Sequence, residues 1–124
     1  MNFQETEIIE LKRNLNDSLP KEIVAFLNTN GGTIYIGVSD NGEILGVENL
    51  DDIQVKVADI ITGQILPNPQ EYVEIGSKFI KRKNIVEIKV LKGNSLYYIK
   101  NLEEVLLGVL LELVQVVEVW QKNK

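Results

Sequence analysis

The stretch "AFLNTNGGTIYIGVSDNGEILG", Ala25 to Gly46, packs three breaks in regular structure around a single apolar run. Its first residues read as the end of a helix. Asn30-Gly31-Gly32 stops that helix, because glycine accepts the left-handed backbone of a helix C-terminus. "TIYIGV" then reads as a buried strand. "SDNGE" is a hairpin turn in which Asn41-Gly42 supplies the positive φ angles such turns need, and "ILGV" returns as the partner strand. Gly31, Gly32 and Gly42 are therefore structural turn residues. Gly37, inside the strand, marks a place where a backbone or a ligand comes close.

Working outward, "NDSLPKEIVAFL" opens a helix with Asp17 or Ser18 as cap and Pro20 in the first turn. Leu19, Ile23, Phe26 and Leu27 give it an apolar stripe. "TEIIELKRN" before it is a first strand. After the window, "NLDDIQVKVADIITGQILPNP" predicts a second helix, capped by Asn49 or Asp51, buried through Ile53, Val57, Ile60 and Ile61, and ended by Pro67 and Pro69. "EYVEIGSKFIKRKNIVEIKVLKG" predicts two strands around a tight turn at Lys83-Asn84, and "SLYYIK" one more short strand. The order β-α-β-β-α-β-β-β predicts an α+β fold, a mixed β-sheet with two packed helices, over residues 1–100. Residues 101–124 form an atypical apolar tail, read as a C-terminal helix. From Val105 to Trp120 it is apolar on most of its circumference and needs a partner. A homodimer through residues 105–120 is the expectation.

Composition narrows the chemistry. The 124 residues contain no cysteine and no histidine. Thiolate nucleophiles, zinc-thiolate sites, Ser-His triads and imidazole ligands are thereby excluded. Any catalysis falls to carboxylates, lysine, arginine, tyrosine or hydroxyls. No Gly-x-x-x-x-Gly-Lys-Ser/Thr run is present, so a P-loop is excluded. The N-terminus has no basic-then-apolar signal pattern, and the tail is too short and charged for a membrane span. A cytoplasmic protein without membrane contact is expected.

Net charge is −5, but its distribution is uneven. Residues 1–75 carry a net of −9, while residues 76–100 carry 7 basic and 1 acidic side chains. That basic stretch has two readings: a solvated hairpin whose lysines guard an edge strand, or a phosphate-binding surface of Lys78, Lys81, Arg82, Lys83, Lys89 and Lys92, with Tyr97 and Tyr98 available for stacking.

The segments "ETEIIELKRN", "IVAFLNTNGGTIYIGVSDNGEILGV" and "NPQEYVEI" together resemble a Schlafen-type, Alba-like domain, over roughly Glu5 to Ile99. Bacterial and archaeal members of that family are described as DNA-binding domains, often at the N-terminus of transcriptional regulators or helicase-related proteins. The resemblance implies a nucleic-acid-binding domain of a transcriptional regulator or accessory protein, with DNA or RNA as partner and no cofactor. Eukaryotic Schlafen proteins with this core are endoribonucleases that use two glutamates from the first-strand motif and one aspartate after the Gly-Val strand. The matching positions here are Glu5, Glu10 and Asp40. Such a tri-carboxylate site would hold Mg²⁺ or Mn²⁺, which activates water and offsets charge at the phosphate. Lys12, two residues after Glu10 and on the same strand face, is the candidate phosphate contact. Against this stands the plain reading of Glu5 and Glu10 as exposed charges and Asp40 as a turn residue. Glu5 and Glu10 differ by an odd number, so a shared site needs an irregular start to the strand. A third function, dimerisation without catalysis, rests on the tail.

The resemblance stops at about Asn101, where relatives continue into a Tyr-Ile-Arg-x-Gly-Ser strand. Plausible codons for Leu110 to Gln121, read two nucleotides downstream, give Ile-Arg-Val-Gly-Ser-Ser-Ser-Gly-Ser-Val-Ala. A shifted reading frame is the preferred account of the tail.

Overall fold

The computed structural model describes residues 8–100, 107, 110–115 and 121. The elements run β1 (Ile9–Lys12), α1 (Leu19–Leu27), β2 (Gly32–Ile36), α2 (Leu50–Gln64), β3 (Ile65–Leu66), a 3-10 turn (Gln70–Tyr72), β4 (Val73–Ile80), β5 (Lys83–Val90) and β6 (Tyr98–Ile99). Four strands make the main sheet in the order β1-β2-β5-β4, with β1 parallel to β2 and the others antiparallel. β3 and β6 form a separate two-stranded ladder. The α+β class and the mixed sheet with two packed helices are as the sequence predicts.

Strand alternation divides the main sheet into two unlike faces. Ile34, Ile36, Val86, Ile88 and Val90 point at the helices and join Leu19, Ile23 and Leu27 of α1 and Val57 and Ile61 of α2 in the main core. Apolar residues spaced three and four apart thus meet a sheet whose apolar residues are spaced by two, and both periods are read directly from the chain. Among the described residues no helix packs on the opposite face. A smaller cluster of Leu11, Tyr35, Val38, Ile44 and Ile85 covers part of it.

Gly31 is the residue that turns α1 into β2. Its φ is +84°, and a Cβ there would lie 2.5 Å from the Val90 carbonyl oxygen. Any side chain therefore meets both backbone strain and a neighbouring strand. Gly32 keeps an ordinary strand backbone and lies against the Phe26 ring. Asn28, in the same motif, ties the end of α1 to the β6 segment. Its Nδ2 donates to the Tyr97 carbonyl at 2.9 Å, and its Oδ1 accepts from the Tyr97 amide at 2.9 Å. That anchoring buries Tyr97, so only Tyr98 of the two tyrosines proposed for stacking is exposed.

Several local expectations are corrected. Ser18 sits at the N-cap of α1 but makes no cap hydrogen bond. Asn49 does cap α2, accepting from the Asp52 amide. α2 ends at Gln64, ahead of Pro67, because Ile65 turns extended to pair with Ile99. "ILGV" forms a single bridge, Val38 to Ile44, rather than a strand. At Gly37, with φ +103°, the chain leaves the sheet, and its carbonyl accepts from both the Leu45 and Gly46 amides. The close approach expected at Gly37 is thus by the backbone of Gly46. Finally, the β4–β5 turn is Lys81-Arg82, two residues before the predicted Lys83-Asn84, since Ile80 pairs with Lys83. Of the apolar tail, Leu107, Leu110–Gln115 and Gln121 are described. They are helical and exposed, and the remainder of the 105–120 surface lies outside the described residues.

Candidate functional site

Two sites emerge from this frame. The first lies where β1 ends. The Lys12 carbonyl accepts from the Gly37 amide at 2.7 Å and from the Val38 amide at 3.1 Å. These bonds hold the loop after β2 against the end of β1. As a result Glu10 and Asp40, thirty positions apart in sequence, line one open cleft of about 650 Å³, together with Lys12, Arg13, Asn14 and Asn16. Within the loop the turn is bonded by Ser39 and Asn41, not by Asp40. The Ser39 hydroxyl donates to Asn41 Oδ1 and accepts from the Glu43 amide. The Asp40 carboxylate is exposed and makes no hydrogen bond among the described residues. Glu5 lies outside the described residues, and among the described residues no three acidic side chains gather into a metal-ligand group.

Lys12 occupies a different position from the one expected of a phosphate contact. Its side chain is 6% exposed, and its ammonium donates to Glu22 Oε1 at 2.8 Å and to Ser18 Oγ at 2.7 Å. It joins β1 to the first turn of α1 and lines the cleft from beneath.

The second site is the helix-free face and the hairpin that extends it. Lys83, Ile85, Glu87 and Lys89 share that face by strand period, and Glu74, Gly76, Lys78 and Ile80 of β4 lie opposite them. At the centre Glu87 is buried. It accepts from the Tyr35 hydroxyl at 2.9 Å, and Lys78 and Lys89 lie 3.3 and 3.7 Å from its carboxylate. The Lys78 ammonium also sits 5.9 Å from the Tyr35 ring centroid. Sequence reasoning passed over Glu87 as one acid among seven bases, yet the two-residue period of Lys83, Glu87 and Lys89 marks them as neighbours. Two of the six proposed cations thus share one carboxylate. Lys81, Arg82 and Lys92 make no ion pair among the described residues, and Lys83 reaches only the Ile44 carbonyl, at 3.4 Å. The six do not form one patch. Lys81, Arg82 and Lys83 cluster at the hairpin tip, whereas Lys92 follows the other end of β5.

This arrangement sets a pH response. Burial, reinforced by the hydrogen bond and charge of Glu87, pushes the Tyr35 phenol up to about 12. Burial alone would raise Glu87. The hydrogen bonds from Tyr35 and Lys78 and the charges of Lys78 and Lys89 together outweigh it and hold the carboxyl below its ordinary value. An unfolded tyrosine loses its proton near 10. Stabilisation by the Tyr35 proton is therefore whole below about 10 and is lost as pH rises through about 12. For Glu87 the sign reverses. Its contribution is present above the unfolded carboxyl range and is lost as pH falls through the lower folded value. Thermal unfolding across pH should show both limbs, with Tyr35→Phe flattening the alkaline one and Glu87→Gln the acid one.

A family model described as "Schlafen, AlbA_2" matches residues 5–107. The chain belongs to that family. At the family level this is a nucleic-acid-binding fold. Two solved structures share its architecture. The N-terminal domain of a RecG-related protein from Nitrosomonas europaea superposes with a TM-score of 0.66 at 20% identity, covering 81% of this chain and 74% of that one. The DIP2311 protein from Corynebacterium diphtheriae gives 0.57 at 18% identity, covering 77% of this chain and 20% of that one. At such identities the likeness is one of fold. No curated protein matches the sequence. Among the described residues no helix is long and apolar enough to cross a membrane.

Proposed function

We propose that this Schlafen, AlbA_2 domain binds DNA or RNA through the tip of the β4–β5 hairpin and the sheet face behind it, as the nucleic-acid-binding part of a transcriptional regulator or accessory protein. The observation that carries this reading is the tip itself. Lys81 and Arg82 occupy a two-residue turn with φ of +52° and +63°. Turns of that kind favour asparagine and glycine, and each bulky residue held there costs on the order of 1 kcal/mol or more. Two cations in place of the easier residues, neither in an ion pair among the described residues, fit a surface shaped for phosphates. Behind them Lys78 and Lys89 share Glu87, so the net positive charge rises toward the tip. Binding measured over a range of salt concentrations tests the reading, since phosphate contacts give a steep linear dependence on the logarithm of salt. A homodimer through residues 105–120 is a separate proposal and rests on the exposed leucines Leu107, Leu110, Leu111 and Leu113.

A second reading has its own observation, the shared cleft of Glu10 and Asp40. In this reading the domain is a metal-dependent endoribonuclease. Carboxylate oxygens are the donors that Mg²⁺ or Mn²⁺ prefers, so Glu10 and Asp40 would hold the ion with Glu5, and the ion would supply water activation and charge neutralisation at the phosphate. Lys12 then positions the strand beneath the site rather than touching the phosphate. Incubation with structured RNA and either ion should give cleavage that disappears in Asp40→Asn and separately in Glu10→Gln. Cleavage that persists in both variants removes the tri-carboxylate assignment.

A further inference from the structure

β4 is the edge of the main sheet, and no strand lies beyond it among the described residues. It is eight residues long, an extent of free edge that proteins usually shorten, bend or cover. Its backbone alternates. Gly76 pairs with Glu87 and Ile80 with Lys83 across the tight turn, and the Tyr72 carbonyl accepts from the Leu91 amide. Even-numbered residues therefore direct their amides and carbonyls at β5, and odd-numbered ones, Val73 to Phe79, direct theirs at the open edge.

We infer that this edge pairs with the same edge of a second copy of the chain, antiparallel about a two-fold axis at Gly76, to make one continuous eight-stranded sheet. The sequence of β4 is complementary to itself in that register. Glu74 falls opposite the partner's Lys78 on the helix-free face, so the two-fold creates two opposite-charge pairs. Glu74 already faces Lys89 on its own sheet, and the signs then alternate across the joined surface. On the other face Phe79, 70% exposed, falls opposite the partner's Val73, and Ile75 opposite the partner's Ser77. These odd-numbered pairs are the hydrogen-bonded ones, which the outward amides require. Gly76 meets Gly76 of the partner subunit at the axis, where the absence of side chains lets the backbones approach. Sliding the register by two residues in either direction loses both charge pairs.

One consequence depends on the nucleic-acid reading. The two hairpin tips would lie roughly 34 Å apart, five residues of strand on either side of the axis. That is about one turn of duplex DNA. The pairing itself stands or falls without nucleic acid.

The chain has no cysteine, so a single introduced thiol reports the register. At Gly76 the nearest atom to an added Cβ is the Glu87 carbonyl oxygen at 3.9 Å, so Gly76→Cys fits the monomer. In the proposed dimer the two thiols face each other across a non-hydrogen-bonded pair with Cα atoms about 4.5 Å apart, within disulfide range. Mild oxidation of the full chain should convert Gly76→Cys to a covalent dimer at least tenfold faster than Ser77→Cys, whose thiol faces Ile75 of the partner subunit. Ser77→Pro removes an outward amide that the monomer does not use, so it should keep the fold by circular dichroism and shift sedimentation toward monomer. Equal cross-linking at the two positions overturns the inference. So does a dimer that persists in Ser77→Pro and disappears on truncation after Lys100, since the tail would then hold it.

Discussion

Lys81→Asn combined with Arg82→Gly should raise the melting temperature and weaken nucleic-acid binding in the same protein. The turn between Ile80 and Lys83 has two residues, both with positive φ. That geometry matches the twist of the flanking strands and suits Asn-Gly. Relieving lysine and arginine of it is worth about 1–2 kcal/mol, or roughly 5–10 °C in a domain of this size. The same change removes two cations that have no ion-pair partner among the described residues. If each contacts a phosphate, the slope of log affinity against log salt should flatten by about two units. Binding and stability moving in opposite directions would mark the tip as a surface where stability yields to function. Binding and slope that do not change would sink the hairpin tip as the interface. A melting temperature that falls would show that the turn carries no strain to relieve.

The same turn shows what the sequence could and could not reveal. Asn84 is a good turn residue, and it drew the predicted turn two positions too far, because nothing in "IKRKN" advertises left-handed backbone at lysine and arginine. The two strands themselves were plain, since Val73, Ile75 and Phe79 in one and Val86, Ile88 and Val90 in the other recur at even spacing. The helix stop at Gly31 and the turn at Gly42 were legible because few residues other than glycine accept positive φ. The strand expected at Ile44–Val47 failed because Gly37 bends the chain out of the sheet and leaves one bridge. For the candidate site, the shared face of Glu10 and Lys12 follows from spacing alone. That Glu10 and Asp40 line one cleft depends on two amides bonding the Lys12 carbonyl, a contact with no sequence signature. Residue spacing also gives no sign that Lys12 would be occupied by Glu22, because the contact crosses a loop and joins a strand to a helix.

Lys12→Met should therefore behave as a stability variant rather than as the loss of a ligand contact. The side chain is 6% exposed, and its ammonium bonds Glu22 Oε1 and Ser18 Oγ. Glu22 Oε2 is buried and has no hydrogen-bond partner among the described residues, so the carboxylate already depends on one side. Ser18 cannot replace the lysine. Its single proton is shared between Asn16 Oδ1 at 2.6 Å and Glu22 Oε1 at 2.8 Å. Methionine keeps the volume and removes the charge, leaving an acid in a site that water reaches poorly. Breaking a fully buried pair in this way costs about 3–5 kcal/mol. Glu22 is 21% exposed, which draws the expected cost to about 2–3 kcal/mol, or a fall of roughly 10–15 °C in melting temperature. Removing the stranded acid as well, in Lys12→Met with Glu22→Leu, should recover most of that loss, because the penalty lies in the unpaired charge. A lysine that served a phosphate would give the reverse pattern. Stability would barely change, the second substitution would restore nothing, and binding or cleavage would fall with Lys12→Met alone.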